Sequence, residues 1–173
     1  KEANEQLEVK VAERTGNLLK ANKLYRFLSE LNKMILRTTD ERALYQDICD
    51  IAIRYGKFRM AWIGLIDPAT GFVIPVMNSG NEQGYLSIIK PISINPDLPE
   101  GRCPTGQALR EGTYFVCQDV EHDPMVAPWR QEQLSRGYYS SMAVPIKKSG
   151  VISGAITVYA PEKNFFNDAE ISL

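Results

Sequence analysis

The sequence lacks most of the residues from which disulfide frameworks and metal sites are built. Its 173 residues include three cysteines, Cys49, Cys103 and Cys117, at irregular spacing and without a CxxC pair, and one histidine, His122. An odd number of scattered cysteines argues against a disulfide framework. Structural zinc requires about four clustered Cys, His or carboxylate ligands. We therefore expect neither disulfides nor a metal site of ordinary type.

The chain also lacks an excess of charge and any long apolar run. It contains 20 Lys and Arg against 21 Asp and Glu, a formal net charge of −1. This balance provides no positive field to attract nucleic acid or an anionic membrane. No apolar run reaches the ~20 residues that span a bilayer, and no charged start is followed by an apolar signal core. We expect no nucleic acid partner, no direct membrane insertion and a cytoplasmic location.

Proline is absent from the first forty residues, which also contain a single glycine, and residues 1–36 predict a long helix. Apolar residues recur there at alternating spacings of four and three, the pattern of a coiled coil, and two polar seam positions favour a parallel homodimer. A broader apolar face from Leu24 to Ile35 leaves open a single amphipathic helix packed on its own domain. The seam is Leu7, Val11, Arg14, Leu18, Ala21, Tyr25, Leu28, Asn32 and Ile35.

Residues 37–173 alternate between helix and strand signals. A helix starts at Thr38, Thr39 or Asp40 and ends at Gly56, and a second, short helix lies in "CPTGQALREG". A third helix follows the two prolines of "HDPMVAPWRQEQLSRGY", and "FFNDAEISL" opens a closing helix, which suggests that the sequence is a segment of a longer protein. The predicted strands are "FRMAWIGLID", "FVIPVMNSG", "SIIKPISI", "TYFVCQDV" and the hairpin "SSMAVPIKKSGVISGAITVYAP".

This order predicts an α+β fold. One antiparallel sheet of about five or six strands carries helices on both faces, and the long N-terminal helix precedes it. The run "FRMAWIGLID" is apolar on both alternating faces, which indicates a central strand covered on both sides. The sheet face beneath the loop helices is where we expect an enclosed pocket.

Several of these stretches together resemble the GAF domain family of sensory modules. They are "PTGQAL", the "DV..DP" after a strand, "GYYSSMAVPI", "GVISGAITVYA" and "FFNDAE", and the likeness covers roughly residues 24 to 173. The leading "VAERTGNLLKAN" is similar to the helical linkers that follow PAS domains in bacterial signalling proteins. The resemblance implies a sensory or dimerisation module of a protein that ends in a histidine kinase or a GGDEF/EAL cyclic-di-GMP output domain, and it implies no enzyme in these residues.

The cofactors found in some GAF domains do not match this sequence. Bilin attachment uses a cysteine commonly followed by histidine, a pair that is absent here. Haem needs an axial ligand, and the one histidine stands in the polar turn "EHDP". Phe166, Asp168 and Glu170 are similar to the end of the cyclic-nucleotide signature, but their spacing is compressed. We predict no cofactor and an unidentified small-molecule ligand.

Cys103 supports an alternative, because free methionine-R-sulfoxide reductases are GAF domains whose catalytic loop resembles "GRCPTG". A helix N-terminus and the neighbouring Arg102 are expected to lower its thiol pKa. The chemistry also needs a second thiol, for which Cys117 is the candidate. Against it, Pro104 replaces a glycine and further expected residues are missing. Without a catalytic role, Cys103 is expected to be a residue of the pocket rim.

The remaining candidates for ligand binding surround the same predicted pocket. Trp129 and Arg130 would stack on and clamp an anion, or alternatively would cap and pack the loop helix. Ser141 would donate a hydrogen bond to a ligand, or satisfy a strand end. Asp119, with Glu121 and Asp123, is expected to lie in a solvated turn and not in a cation site. The complete predicted set is Cys103, Thr105, Asp119, Trp129, Arg130, Tyr138 and Ser141, and no catalytic residue is predicted.

Overall fold

A computed structural model describes residues 2–35 and 40–166, with side chains for 4–19, 26 and 40–166. Helix α1 spans Glu2–Ile35 without a break, as the sequence predicts, and it contacts the next helix. The seam residues Leu7, Val11 and Leu18 are 61%, 54% and 66% exposed. The side chains of the seam from residue 21 onward, and of the broader apolar face, lie outside the described set. The coiled-coil dimer therefore stays a prediction.

Helix α2 spans Glu41–Gly56 and is fixed at both ends by local chemistry. The Asp40 carboxylate accepts a hydrogen bond from the Arg42 amide at 3.0 Å, which makes Asp40 the N-cap. The other two candidate caps lie outside the described residues. After Gly56 the chain turns at Lys57, whose φ of 56° is left-handed. Cys49 and Ala52 are fully buried on the face that packs on the sheet.

One six-stranded antiparallel sheet forms the centre of the fold, in the order β3-β2-β1-β6-β5-β4. Strand β1 lies between β2 and β6, as its apolar residues on both faces predict. Strands β5 and β6 form the predicted hairpin, turned by the positive φ of Ser149 and Gly150. The strands are β1 (Met60–Ile66), β2 (Phe72–Gly80), β3 (Ile92–Ser93), β4 (Phe115–Cys117), β5 (Ser140–Lys148) and β6 (Val151–Ala160).

Alternation along β1 and β6 separates two hydrophobic clusters, one on each face of the sheet. Ala61 and Ile63 share the first cluster with α2, whereas Met60 and Trp62 belong to the second, which packs beneath the loop helices. Those helices are α3 (Tyr85–Ile88), α4 (Pro104–Glu111) and α5 (Arg130–Ser135). The α+β architecture with helices on both faces is confirmed.

One predicted strand is confirmed only in part: "SIIKPISI" contains the two-residue strand β3, but its first two residues belong to α3. The chain leaves β2 through the positive φ of Gly80, Gln83 and Gly84, which are incompatible with a continued ladder. The Glu82 carboxylate then accepts hydrogen bonds from the Gly84 and Leu86 amides at 2.8 and 2.7 Å. Pro91 has no amide to offer a ladder. Helix α3 forms for these local reasons.

One further predicted strand is shorter in the structure, and the predicted closing helix lies mainly outside the described residues. "TYFVCQDV" contributes only three residues to β4. The strand ends there because the Asp119 carboxylate accepts a hydrogen bond from the Glu121 amide at 3.0 Å, which turns the chain. The closing helix of "FFNDAEISL" falls mainly on residues 167–173, which lie outside the described residues.

Candidate functional site

An enclosed cavity lies on the face of the sheet opposite α2. Residues of α3, α4, α5, β5 and β6 line it, together with the loop residues Cys103, Val126 and Trp129 and strand residue Ile92. The space that water can occupy is about 10 Å³, roughly the volume needed for one water molecule. In this closed arrangement a larger molecule fits only if a wall moves.

The cavity wall is built from aromatic rings and uncharged polar groups. Thr105 and Thr157 join their hydroxyls at 2.7 Å, which links α4 to β6. Trp62 Nε1 donates to the Tyr159 hydroxyl at 3.3 Å, and that hydroxyl lies 3.5 Å from the hydroxyl of Tyr85. Burial raises the pKa of both tyrosines, so both hydroxyls stay protonated at neutral pH.

Gln133 completes this network and leaves one of its atoms unpaired. Its Nε2 donates to the Tyr85 hydroxyl at 2.9 Å, while its Oε1 is buried and accepts no hydrogen bond. Buried polar atoms are almost always paired, because an unpaired one forfeits its hydrogen bonds to water. The unpaired Oε1 is therefore a position where the site offers an acceptor that the protein does not use.

Residues 81–90, which we call the lid segment, close one side of the cavity. Side chains of residues 129–138 donate four hydrogen bonds to it. Trp129 Nε1 reaches the Lys90 carbonyl oxygen at 2.8 Å, and Arg136 Nη2 reaches that of Gln83 at 3.0 Å. The other two join Gln133 to Tyr85 and the Tyr138 hydroxyl to the Asn81 carbonyl oxygen. The lid segment is thus held to α5 and its flanks by side chains rather than by strand pairing.

Cys103 lines the cavity directly before α4 and is 4% exposed. Burial raises the pKa of its thiol to about 11, although the amides of Gly106 and Thr105 act to lower it. The positive charge of Arg110 has the same, smaller effect, and its guanidinium donates to the Gly101 carbonyl oxygen at 2.5 Å. The lowered thiol pKa expected from the sequence is wrong, because desolvation of the thiolate outweighs the helix N-terminus.

The three thiols are free and lie in three different hydrophobic clusters. Burial also raises the pKa of Cys49 and of Cys117 to about 12. Cys117 belongs to the cluster of Val120 and Val126, whereas Cys103 packs in the cluster beneath the loop helices. The arrangement does not join Cys103 and Cys117 as a thiol pair.

The profile of the GAF domain family matches residues 38–173. The chain belongs to the GAF domain family. A search of curated proteins finds no significant match to the sequence. None of the helices in the described part of this GAF domain is both long and apolar enough to cross a membrane.

Solved structures share the GAF fold at low sequence identity. The free methionine-R-sulfoxide reductase from Neisseria meningitidis, in complex with its substrate, has a TM-score of 0.67 at 18% identity, covering 87% of this chain and 81% of that one. The A. aeolicus nlh2 GAF domain in an inactive state has a TM-score of 0.61 at 18% identity, and the match covers 86% of this chain and 83% of that one. A domain assigned to a two-component sensor histidine kinase from Sinorhizobium meliloti has a TM-score of 0.56 at 16% identity, and the match covers 78% of this chain and 82% of that one.

These comparisons correct the prediction that the segment is not an enzyme. The reductase from Neisseria meningitidis and a second one from Staphylococcus aureus adopt the same fold, and both are enzymes. Identities of 18% show the fold alone. Membership of the GAF family therefore admits catalysts as well as sensors, and the sequence argument that excluded catalysis is wrong.

The GAF cavity brings together four of the seven predicted ligand-binding residues, Cys103, Thr105, Trp129 and Ser141. The other three lie elsewhere. The Arg130 guanidinium donates to the carbonyl oxygens of Val120 at 3.0 Å and Asp123 at 2.7 Å, so it braces the loop before α5. Tyr138 is buried beside the cavity, where it stacks on Tyr159 and holds the lid segment.

Asp119, the remaining member of that set, lies in a turn away from the cavity. Its carboxylate pairs with His122 Nδ1 at 2.9 Å and with the Lys163 ammonium at 3.4 Å. These partners, the His122 hydrogen bond first, lower the pKa of Asp119, and Lys163 lowers that of Glu121. Lys163 therefore offsets part of the negative charge of this turn.

Sequence reasoning missed the polar groups that complete the site: Tyr85, Gln133, Thr157 and Tyr159. Alternation in "GAITVYA" could have identified Thr157 and Tyr159, because they share one face of β6 with Ala155. Gln133 stands in a polar helix that has the composition of a solvated one. No local signal marks it or Tyr85 as buried, since their contact spans 48 positions.

Proposed function

We propose that this GAF domain is a regulatory sensor that admits a small ligand into the cavity beneath the lid segment. The observation that carries the proposal is an enclosed cavity with an unpaired buried acceptor, on the sheet face opposite α2. Folded cores rarely retain such an acceptor unless water or a ligand pairs with it. The lid segment, held by side-chain hydrogen bonds, provides a wall that can open.

Signal transfer would run through the sheet to the helices on its far face. Adjacent residues of strands β1 and β6 face opposite sides of the sheet. Trp62 and Tyr159 pack toward the cavity, whereas their neighbours Ile63 and Val158 pack toward α2. A ligand shifts such a coupling only when it binds one conformation more tightly than another. Packing of α1 on α2 then provides the route to the N-terminal helix.

The proposed assembly is a parallel homodimer through α1. Leu7, Val11 and Leu18 form an exposed apolar seam, which a second copy would cover. The test is sedimentation equilibrium of Leu18→Lys against Leu19→Lys, because Leu19 is also exposed but lies off the seam. We expect the first change to weaken the dimer and the second to leave it intact. A monomer at all concentrations of the unchanged chain would contradict the assembly.

The protein context that we propose is bacterial signal transduction, with a histidine kinase or a cyclic-di-GMP enzyme as output. The similarity of residues 11–22 to the helical linkers after PAS domains, and the fold shared with a sensor-kinase domain, support this context. Output activity of the intact protein, measured with and without bound ligand, is the corresponding test.

The test of ligand binding is native mass spectrometry of the purified chain. We expect a mass above that of the bare protein, which is 19.5 kDa for each chain, and release of the excess on denaturation as a small molecule. Binding of that molecule should raise the melting temperature when it is added back to the stripped protein. A chain that carries nothing and is not stabilised by any added small molecule would contradict the sensor proposal.

A second candidate, free methionine-R-sulfoxide reduction, is favoured by the place of Cys103 in the cavity wall. In that reaction the sulfoxide oxygen leaves as water while two thiol groups are oxidised to a disulfide. Since the described cysteines do not pair, dithiothreitol would supply the remaining thiol. The test measures methionine formed from free methionine-R-sulfoxide by the unchanged chain, Cys103→Ser and Cys117→Ser. Loss of turnover in Cys103→Ser alone would support the candidate.

A further inference from the structure

We infer that the cavity selects an uncharged ligand that donates an N–H or O–H hydrogen bond to Oε1 of Gln133. The inference rests on the proposed ligand-binding function and adds the chemical class of the ligand. Gln133 is 3% exposed and lines the cavity, and its Oε1 accepts no hydrogen bond. A donor on a ligand would supply the pairing that this oxygen has lost by leaving water.

The orientation of the amide is set by its one existing partner. Nε2 donates to the Tyr85 hydroxyl, whose own proton can be directed toward Tyr159 at 3.5 Å. Rotating the amide by 180° would let Tyr85 donate to Oε1 but would leave both protons of Nε2 without an acceptor. The observed orientation pairs one Nε2 proton and leaves Oε1 unpaired, so the cavity presents an acceptor.

The absence of a usable charge limits the ligand further. Among the residues that the structure describes, those lining the cavity include no Asp, Glu, Lys, Arg or His. Two guanidinium groups near these residues have acceptors: Arg110 donates to Ile94 and Gly101. Arg136 lies over the Tyr85 ring, pairs with Glu132 and donates to Gln83, while its Nε has no partner. An ionised ligand would therefore be buried without a counter-charge, which is strongly unfavourable.

The walls indicate a flat, mainly apolar body. Trp129 and Tyr159 supply rings, and the hydroxyls of Thr105 and Thr157 already bond to each other. A ring compound exceeds the present volume, so it enters as the lid segment moves outward. Gln133 can then hold the ligand through Oε1 and Tyr85 of the lid segment through Nε2 at the same time.

Three matched probes test the inference: phenol, anisole and benzoate. Phenol is uncharged at pH 7 and has an O–H donor, anisole lacks the donor, and benzoate is an anion. Titrations followed by NMR at the Gln133 side-chain amide and the Trp129 indole N–H locate binding in the cavity. We expect phenol to bind about tenfold more tightly than anisole, the typical effect of one buried hydrogen bond, and benzoate not to bind.

The variant Gln133→Met removes the acceptor and keeps the length of the side chain. It also removes the Nε2 bond to Tyr85, which affects both probes alike, so the ratio of phenol to anisole affinity is measured and should fall from about ten to about one. Gln131→Met, at an exposed glutamine on the same helix, should leave this ratio unchanged. Equal binding of phenol and anisole to the unchanged chain would overturn the inference without any variant, as would tight binding of benzoate. Either result leaves the sensor proposal standing. If none of the probes shifts the two resonances, the inference fails, while the sensor proposal is decided separately by the native mass spectrometry described above.

Discussion

Cys103 should react very slowly with alkylating reagents at neutral pH. Burial raises the pKa of this thiol from 9.0 to about 11. The thiolate is the reactive form, so its fraction at pH 7 falls about 100-fold relative to an unperturbed thiol. Limited access through the closed lid segment would slow the reaction further.

The assay is alkylation by iodoacetamide with peptide mass spectrometry, which follows the three cysteines separately in the unchanged chain. The chain unfolded in guanidinium gives the reference rate. We expect Cys103 to react at least about 100-fold more slowly than this reference at pH 7, and about tenfold faster for each pH unit until the pH approaches its pKa.

Cys49 and Cys117 serve as internal controls for unfolding. They do not line the cavity and are fully buried in other clusters. If the lid segment opens locally, Cys103 should react before them, whereas equal rates at all three would indicate global unfolding. A Cys103 that reacts at neutral pH as fast as the unfolded chain would refute the burial argument and would favour the reductase candidate.

Four further predictions concern stability and the lid segment. Gly154→Ala should lower the melting temperature by about 4–8 °C, because its Cβ would overlap the Gly64 carbonyl oxygen and overpacking costs roughly 2 kcal/mol; Gly16→Ala, which meets no atom within 4 Å, should not lower it, and equal losses would contradict the argument. Trp129→Phe removes the 2.8 Å bond to the Lys90 carbonyl oxygen and should cost about 1 kcal/mol, seen as faster hydrogen exchange in residues 81–90 but not in β1. Asp40→Ala removes the N-cap of α2 and should lower the free energy of unfolding, measured in urea, by about 1 kcal/mol. The free energy of unfolding should fall from about pH 9 upward, because the unfolded thiols of Cys49, Cys103 and Cys117 ionise first while the folded thiols, with pKa values of about 12, 11 and 12, stay protonated; a flat profile of unfolding free energy from pH 7 to 10 would refute this.

The sequence predicted those parts of the fold that depend on local pattern. The apolar residues of β1 on both faces required a central strand, and Ser149 and Gly150 between two apolar runs required a hairpin. Helix α4 was also predictable, since Pro104 at its first turn and the left-handed Gly112 after it mark both ends. Each of these features is decided within about ten residues.

The lid segment was mispredicted because the local turn after β2 and side-chain contacts distant in sequence together outweigh its strand composition. "SIIKPISI" has the composition of a strand, yet only its residues Ile92 and Ser93 pair with the sheet. Residues 129–138 instead donate side-chain hydrogen bonds to the lid segment. Arg130 was misplaced for the same reason, since the carbonyl oxygens that it binds belong to a loop with no sequence signature. Cys103 shows a limit of another kind. Its neighbours in sequence suggest a lowered pKa, but desolvation by the surrounding fold decides the direction.

Gln133 connects the closing of the lid segment to the occupation of the cavity. Its Nε2 holds Tyr85 of the lid segment, and its Oε1 is free to accept from a ligand. Hydrogen bonds that share one amide polarise each other, so a donor on Oε1 strengthens the bond from Nε2 to Tyr85. Once the cavity has widened to admit a ligand, this bond would keep Tyr85 of the lid segment attached to α5. Tyr85 also lies beside Tyr159 of β6. A movement of the lid segment would therefore affect a strand whose other face packs toward α2.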